Sequence, residues 1–271
     1  MSILDRFAVT DQVAVVTGAG RGIGAAAAVA LAEAGADVVI SSRTATQLEQ
    51  VAERVRAVGR RALVVPADLS DADAVAGLAR AAYDELGRLD TVVNNVGGTI
   101  PNAFLDTDVA YLEEAFHFNV STAHALSRAA VPLMLKGVAD GQDGAQKSIV
   151  TISSMMGRAS GRGYLAYGTA KAALAHWSRL AAADLAPRIR VNGIFVGSVM
   201  TSALEFVAGV PEMRQQMESK TPLGRVGEAE DVAAAVLYLS SRAGQYVTGK
   251  MLEVDGGIQA PNLDLDLPDL E

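Results

Sequence analysis

Short apolar runs alternate along this chain with helix-like stretches that stop at glycine, and this alternation restricts the fold more than any other feature. Val13–Thr17 (VAVVT) has the length and composition of a buried strand and runs straight into a glycine cluster. An alanine-rich helix is expected over 22–34, closed by Gly35. The unit then recurs: a strand at Asp37–Ser41 with a helix at Thr44–Val58, a strand at Arg61–Pro66 with a helix at Asp71–Leu86, and a strand at Asp90–Asn94 with a long helical stretch over 108–135. The polar, glycine-rich 136–147 reads as a surface loop. Beyond it come a strand at Ser148–Ser153, a helix at Tyr167–Leu185, a strand at Arg188–Ile194, an irregular Met-rich segment over 198–222, a helix at Glu228–Ser240 and a last strand at Met251–Val254. Apolar strands in repeated βα units predict an α/β, doubly wound parallel sheet with helices on both faces and right-handed crossovers. No linker-like shift in composition divides the chain, so one domain is expected. In such sheets the ligand lies beyond the carboxyl ends of the strands.

Composition removes several classes of function. With no cysteine among 271 residues, disulfides, thiolate metal sites and a cysteine nucleophile are all excluded. A net charge of −8 without any basic run argues against a nucleic-acid partner. No apolar stretch reaches the length of a membrane span, and no basic segment followed by a long apolar run opens the sequence; a cytoplasmic protein is expected. His117, His124 and His176 are not paired with carboxylates at ligand spacing, so no metal site is expected.

The first strand is followed by Thr17-Gly18-Ala19-Gly20-Arg21-Gly22-Ile23-Gly24. Glycines at a strand-to-helix turn let the backbone approach a pyrophosphate at the helix N-terminus. Gly20-x-Gly22-x-x-Ala25 and Gly18-x-x-x-Gly22-x-Gly24 are both admissible registers, and an ordinary tight turn is the bland alternative. At the end of the second strand, where an acidic residue would hold the ribose of NAD, stand Ser42 and Arg43. A guanidinium there attracts the 2′-phosphate of NADP(H), and Arg21 adds a second cation; NAD(H) is not excluded. Asp68-Leu69 after the third strand offers either an acceptor for adenine or a helix-capping group.

The fifth strand ends in Ser153-Ser154, with Tyr167 thirteen residues after Ser154 and Lys171 four further on. The i, i+4 pair falls on one helix face. A nearby ammonium is expected to lower the phenol pKa and fit Tyr167 for general acid–base work, with Ser154 holding a substrate oxygen. Met155 and Met156 either line an apolar pocket or pack beneath the loop. Trp177 shares a helix face with Leu174.

Together with Asn94-Asn95-Val96-Gly97, Asn119 in FHFNV and VDGG at 254–257, these motifs resemble the short-chain dehydrogenase/reductase family, in its compact single-domain branch, from Val13 to Gly257. The resemblance implies a Rossmann-like sheet of about seven strands, a nicotinamide cofactor and alcohol–carbonyl interconversion. It favours the register of Gly18, Gly22 and Gly24 and places Gly20, Ile23, Leu69 and Gly97 along the cofactor. It implies that Asn119 bends its helix and joins Lys171 in a proton relay, that Lys171 bonds the nicotinamide ribose, and that Asn95 stabilises the central strand near the adenosine. Thr201 and Val199 would contact the carboxamide, beside Gly197. Two departures stand out: Val96 replaces the family's usual alanine, and Phe195-Val196-Gly197 lacks the usual proline before glycine. Tyr164 and Leu204 join Met155 and Met156 as expected substrate contacts, with 198–220 as a lid over a lipophilic, hydroxysteroid-like substrate. A carrier-bound 3-oxoacyl substrate is one alternative and a non-catalytic NADP(H)-binding sensor or scaffold another. The acidic tail 260–271 is expected to be mobile at its end. Apolar residues on more than one face of the helices at 108–135 and 167–185 point to a homotetramer, which is also the assembly that the resemblance implies.

Overall fold

The computed structural model describes residues 2–136, 147–201 and 210–265, together with 267 and 269. Seven parallel strands, β1 (Val13–Thr17), β2 (Asp37–Ser42), β3 (Ala62–Pro66), β4 (Thr91–Asn94), β5 (Lys147–Ser154), β6 (Ile189–Val196) and β7 (Met251–Val254), form one sheet in the order 3-2-1-4-5-6-7. The chain winds outward from β1 to β3, then returns to β4 and winds the other way. The reversal opens a crevice at the carboxyl ends of β1 and β4.

Eight α-helices cover the sheet among the described residues: α1 (Gly22–Glu33), α2 (Ala45–Ala57), α3 (Ala72–Leu86), α4 (Val109–Phe116), α5 (Thr122–Met134), α6 (Leu165–Leu185), α7 (Pro211–Ser219) and α8 (Ala229–Ser240). Alternation along the strands divides the core. Ala14, Val16, Val38 and Ile40 face α1, α2 and α8, whereas Val13, Val15 and Val39 face α3, α5 and α6. Both faces are buried, which is why these strands read as continuous apolar runs and not as alternating ones. Each fully buried valine or isoleucine contributes about 1.5–3 kcal/mol from desolvation. The alanines of α1, all of Ala25–Ala28 being buried, bring that helix close to β1.

Two buried charges lock the amino-terminal edge of the sheet. Asp90, preceding β4, accepts from the Val13 N–H (2.8 Å), from Arg88 Nε (2.7 Å) and from the buried Lys147 ammonium. Burial pushes its pKa up, but the hydrogen bonds and charges of Arg88 and Lys147 outweigh this and hold it below the usual value. Arg190 on β6 donates to the carbonyls of Leu239 (2.7 Å), Ser241 (3.3 Å) and Gly244 (3.0 Å). It thereby satisfies the open carboxyl end of α8, although burial lowers its own pKa to about 10.

The structure departs from the expected element map at two places. The helix expected over 108–135 is interrupted by a π-helical turn at His117–Ser121, which separates α4 from α5. The segment expected to be irregular contains α7, started by Pro211 in its first turn. Much of the loop expected at 136–147 lies outside the described residues. No helix among the described residues is long and apolar enough to cross a membrane.

Candidate active site

The first βα turn is fastened to the end of β4 by one side chain. Asn95 Nδ2 donates to the carbonyls of Thr17 (2.9 Å) and Gly18 (3.3 Å), and its backbone N–H donates to Thr17 Oγ1 (3.0 Å). Gly18 and Gly22 adopt positive φ, +65° and +55°. A β-carbon on Gly24 would collide with the Gly18 carbonyl and stand 2.6 Å from Asn95 Nδ2. Each glycine of the wider register thus has a steric reason, at Gly22 shared with the narrower one. Gly20 faces the end of β2, where a β-carbon would lie 2.7 Å from Ser42 Oγ. Ile23 packs on the core from the first turn of α1. Arg21 occupies the N-cap without a side-chain hydrogen bond, so the first N–H groups of α1 have no side-chain cap.

At the end of β2, Ser42 Oγ is buried without a hydrogen-bond partner among the described residues, and Arg43 is exposed beside it. The uncapped helix start, the bare glycine turn and this orphaned hydroxyl fit a dinucleotide. Asp68 accepts from the Ser70 N–H (3.0 Å) and hydroxyl (2.8 Å), which lower its pKa, as does the charge of Arg43 nearby. Asp71, not Asp68, caps α3. The side chain of Leu69 is buried in the core with Val13, Val15 and Val39. Val96 lies against the glycine turn, its Cγ2 being 3.3 Å from where a β-carbon on Gly18 would stand.

Ser154, Tyr167, Lys171 and Asn119 meet at the carboxyl end of β5. Ser154, buried at the end of the strand, is hydrogen-bonded to the Tyr167 side chain. Lys171 Nζ donates to the Ile152 carbonyl (2.9 Å) and lies 5.8 Å from the centre of the Tyr167 ring. Asn119 sits inside the π-helical turn, where Nδ2 donates to the Ala115 carbonyl (2.8 Å) and Oδ1 accepts from the Gly98 N–H (2.9 Å). Gly97 joins the two groups: a β-carbon there would stand 2.5 Å from Asn119 Oδ1 and 2.6 Å from Lys171 Nζ. Burial pushes the Tyr167 pKa up, and the Ser154 hydrogen bond only partly opposes it. The lowering expected from Lys171 does not prevail here, because the same burial disfavours the ammonium and takes the lysine pKa down to about 8.

The loop after β6 holds its course without proline. Gly197 donates to the Val254 carbonyl (3.0 Å), Gly227 to Ser198 (2.9 Å), and Met200 to Gly227 (2.8 Å), while Val199 is buried. Thr201 lies across the crevice against Gly22, its Cγ2 being 3.2 Å from a β-carbon placed there. Met155 and Met156 are buried and pack with Ile258, Tyr164 and Tyr167, as the packing alternative expects. Leu204 lies outside the described residues.

Sequence reasoning missed three features. Gly157 and Gly168 let the loop after β5 and α6 touch: β-carbons there would lie 2.9 Å from the Lys171 and Met156 carbonyl groups. Arg158 binds Asp255 (2.7 Å) and the Ile258 carbonyl (2.6 Å), tying that loop to the end of β7. The tail, expected to be mobile at its end, makes contacts as far as Asp269, and residues 270–271 lie outside the described ones. The two close-packing glycines leave a sequence signal in their small size; the other two features leave none. His117 meets the Ser70 carbonyl (2.8 Å) and His124 accepts from Trp177 (3.3 Å).

Unfolded Lys171 keeps its proton up to the ordinary lysine pKa of 10.5, whereas the folded group loses it above about 8. Over that window the unfolded chain binds more protons, so the stability of the folded protein rises with pH. Between pH 7 and pH 9.5 the linkage is worth about 2 kcal/mol. In urea unfolding of the cofactor-free protein, wild type should gain that much relative to Lys171→Met across this interval. Parallel pH curves for the two proteins would show that the lysine is not held in a depressed state.

The comparisons agree with this geometry. A family model described as enoyl-(acyl carrier protein) reductase matches residues 18–259. The chain is 58% identical over 268 residues to an uncharacterized oxidoreductase of Mycobacterium tuberculosis, covering 99% of this chain and 100% of the relative. It is 34% identical to a rhamnolipids biosynthesis 3-oxoacyl-[acyl-carrier-protein] reductase of Pseudomonas aeruginosa, covering 93% of this chain and 97% of that protein. Among solved structures, a 7α-hydroxysteroid dehydrogenase complexed with NADH and 7-oxoglycochenodeoxycholic acid superimposes with a TM-score of 0.88 at 36% identity, covering 96% of this chain and 99% of the other. With its seven-stranded sheet and its glycine turn, the chain belongs to the short-chain dehydrogenase/reductase family, oxidoreductases that act on CH–OH groups.

Proposed function

We propose that the protein interconverts a secondary alcohol and a ketone with NADP(H), on a bulky, lipophilic substrate. The observation that carries this reading is the meeting of the Tyr167 side chain with Ser154 and the buried Lys171, at the strand ends next to the glycine turn. The nicotinamide, when bound, supplies or accepts the hydride. The first N–H groups of α1, with Gly18, Gly20, Gly22 and Ile23, would hold its pyrophosphate. Asn95 and Asp68 flank the adenosine part, and Gly97, Gly197, Val199 and Thr201 flank the nicotinamide part.

In reduction, the Ser154 hydroxyl holds the carbonyl oxygen and the Tyr167 hydroxyl gives it a proton. The raised phenol pKa keeps that proton in place at neutral pH. Lys171 and Asn119, joined at Gly97, lie on the route by which the proton is replaced. In oxidation Tyr167 takes the proton from the alcohol. Met155, Met156 and Tyr164 supply the apolar surround, in line with the bile-acid ketone bound by the solved relative. A carrier-bound 3-oxoacyl substrate is the second reading, favoured by the Pseudomonas relative. Against it, the basic residues flanking the site, Arg158, Arg162, Arg214 and Lys220, are each paired with a carboxylate.

Tyr167→Phe should lower turnover at least about a hundredfold, the usual scale for losing general acid–base help, while cofactor binding survives. Ketone reduction followed by NADPH absorbance checks it, with cofactor fluorescence as the binding measure. Near-wild-type turnover in this variant would overturn the assignment; tight NADPH binding by wild type with no turnover across a carbonyl panel would favour the sensor reading.

The cofactor preference rests on Ser42 and Arg43, where no carboxylate repels a 2′-phosphate. A charge-assisted bond from Arg43 is worth about 1.5–3 kcal/mol, hence roughly a ten- to hundredfold preference for NADP(H). Titration of both cofactors should show it, and Ser42→Asp with Arg43→Ala should reverse it. Tighter NADH binding by wild type, the cofactor seen in the solved hydroxysteroid dehydrogenase, would refute this reading.

The assembly we infer is a homotetramer with two-fold axes. Val109, Leu112 and Phe116 on α4 and Leu165 and Leu180 on α6 expose large apolar side chains that a second copy would cover. Light scattering at micromolar concentration should give four copies of the 28.1 kDa chain, and a monomer there would remove the idea.

A further inference from the structure

The carboxyl-terminal tail runs between two segments that flank Tyr167. On one side it joins α7: Asn262, nearly inaccessible, donates to Thr221 Oγ1 (3.0 Å) and accepts from Ser198 Oγ (2.8 Å). Asp264 accepts from Gln216 Nε2 and Lys220 Nζ, both at 2.7 Å. On the other side it joins the loop after β5, where Arg162 Nη1 donates to Asp269 (2.9 Å). Along the same segment, from Ile258 to Leu267, described apolar side chains pack against the loop after β5. Ile258 packs on Met155 and Met156, near Tyr164 and Tyr167. Pro261 fills the space beside Gly161, next to the Met156 methyl group. Leu265 and Leu267 occupy the place where a β-carbon on Gly163 would stand, at 3.1 and 2.8 Å, with Pro101 also against it. Alternation in the tail supports this placement: Leu263, Leu265 and Leu267 are half-buried, whereas Asp264 is exposed.

We propose that the tail is the outer wall of the substrate pocket, and that Leu265 and Leu267 are the apolar surface on which the far end of a large substrate packs. The proposal rests on the alcohol–ketone reading above. Tyr164 links the two places, since it follows Gly163 directly and its ring lies 6.5 Å from that of Tyr167. A substrate whose carbonyl lies at Ser154 and Tyr167 thus extends its far end over Met156 and Tyr164 toward the two leucines. Their surface is apolar, and Asp264 and Asp269 are turned to the anchors of the tail. The ligand chemistry this wall suits is a fused-ring or long-branched hydrocarbon skeleton carrying one ketone or secondary alcohol. Residues that merely stiffened the fold would affect all substrates alike, whereas a wall discriminates by substrate length.

The experiment uses the full chain with both leucines replaced, Leu265→Ala and Leu267→Ala, assayed with NADPH on cyclohexanone and on a tetracyclic ketosteroid. The ratio of kcat/KM for the ketosteroid to that for cyclohexanone should fall about tenfold, the scale on which a pocket reads a few methylenes. Leu265→Met with Leu267→Met, which keeps apolar bulk, should hold the ratio within about threefold of wild type. NADPH binding and the urea midpoint establish that the variants are folded; if the double alanine variant does not fold, Leu267→Ala alone carries the test, with a fall of about threefold expected. An unchanged ratio in a folded alanine variant overturns the wall while leaving the oxidoreductase reading intact. A wild type that reduces neither ketone overturns that reading and the wall with it.

Discussion

The side chain of Asn95 fills the space that β-carbons on residues 18 and 24 would need, and from there it holds the first βα turn against the end of β4. Those two strands are neighbours although β2 and β3, with their helices, lie between them in sequence. Closing the crevice therefore requires long-range contact, and the protein makes it with a polar side chain where no larger group could pass. Only glycine allows this at both positions. The same clasp sets the course of the turn, from which α1 starts without a side-chain cap.

A second set of close approaches builds the catalytic side. Gly157 and Gly168 allow backbone to touch backbone between the loop after β5 and α6, and Gly97 lies directly against Asn119 and Lys171. The result is a lysine sealed from water with the Ile152 carbonyl as acceptor. Such a group is costly to bury charged, and its pKa falls to about 8 in consequence. The tyrosine beside it moves upward for the same reason, since a phenolate is as poorly solvated there as an ammonium. Burial thus drives the two pKa values apart, the phenol above its ordinary 10.0 and the lysine down from 10.5 to about 8, so that both groups favour their uncharged forms.

The remaining polar interactions position this centre from outside. Asp90 with Lys147 and Arg88 fixes the far end of the sheet, and Arg190 closes the carboxyl end of α8. Arg158 binds the loop carrying Met155 and Met156 to the end of β7. The tail then continues from that strand across the same loop, so the last strand of the sheet and the segment packed on Met155 and Met156 are one continuous piece of chain.

Local pattern was enough to read the strand order of chemistry: Val13–Thr17 before a glycine turn, Ser154 at a strand end, and Tyr167 and Lys171 one helical turn apart. These signals are legible because strand alternation, glycine conformation and i, i+4 spacing are short-range properties of a chain. The sequence also carried the π-helical turn only as a resemblance at Asn119, since no propensity marks it and its geometry comes from the side chain bonding Ala115 and Gly98. Tertiary structure alone decided the direction of the Tyr167 pKa, because burial is a property of the packed site and outweighs the charge four residues away. It alone decided the tail as well. A run of alternating leucine and aspartate reads as a solvated end until Gln216, Lys220 and Arg162, distant in sequence, are brought close enough to hold Asp264 and Asp269, with Leu263, Leu265 and Leu267 half-buried beside them.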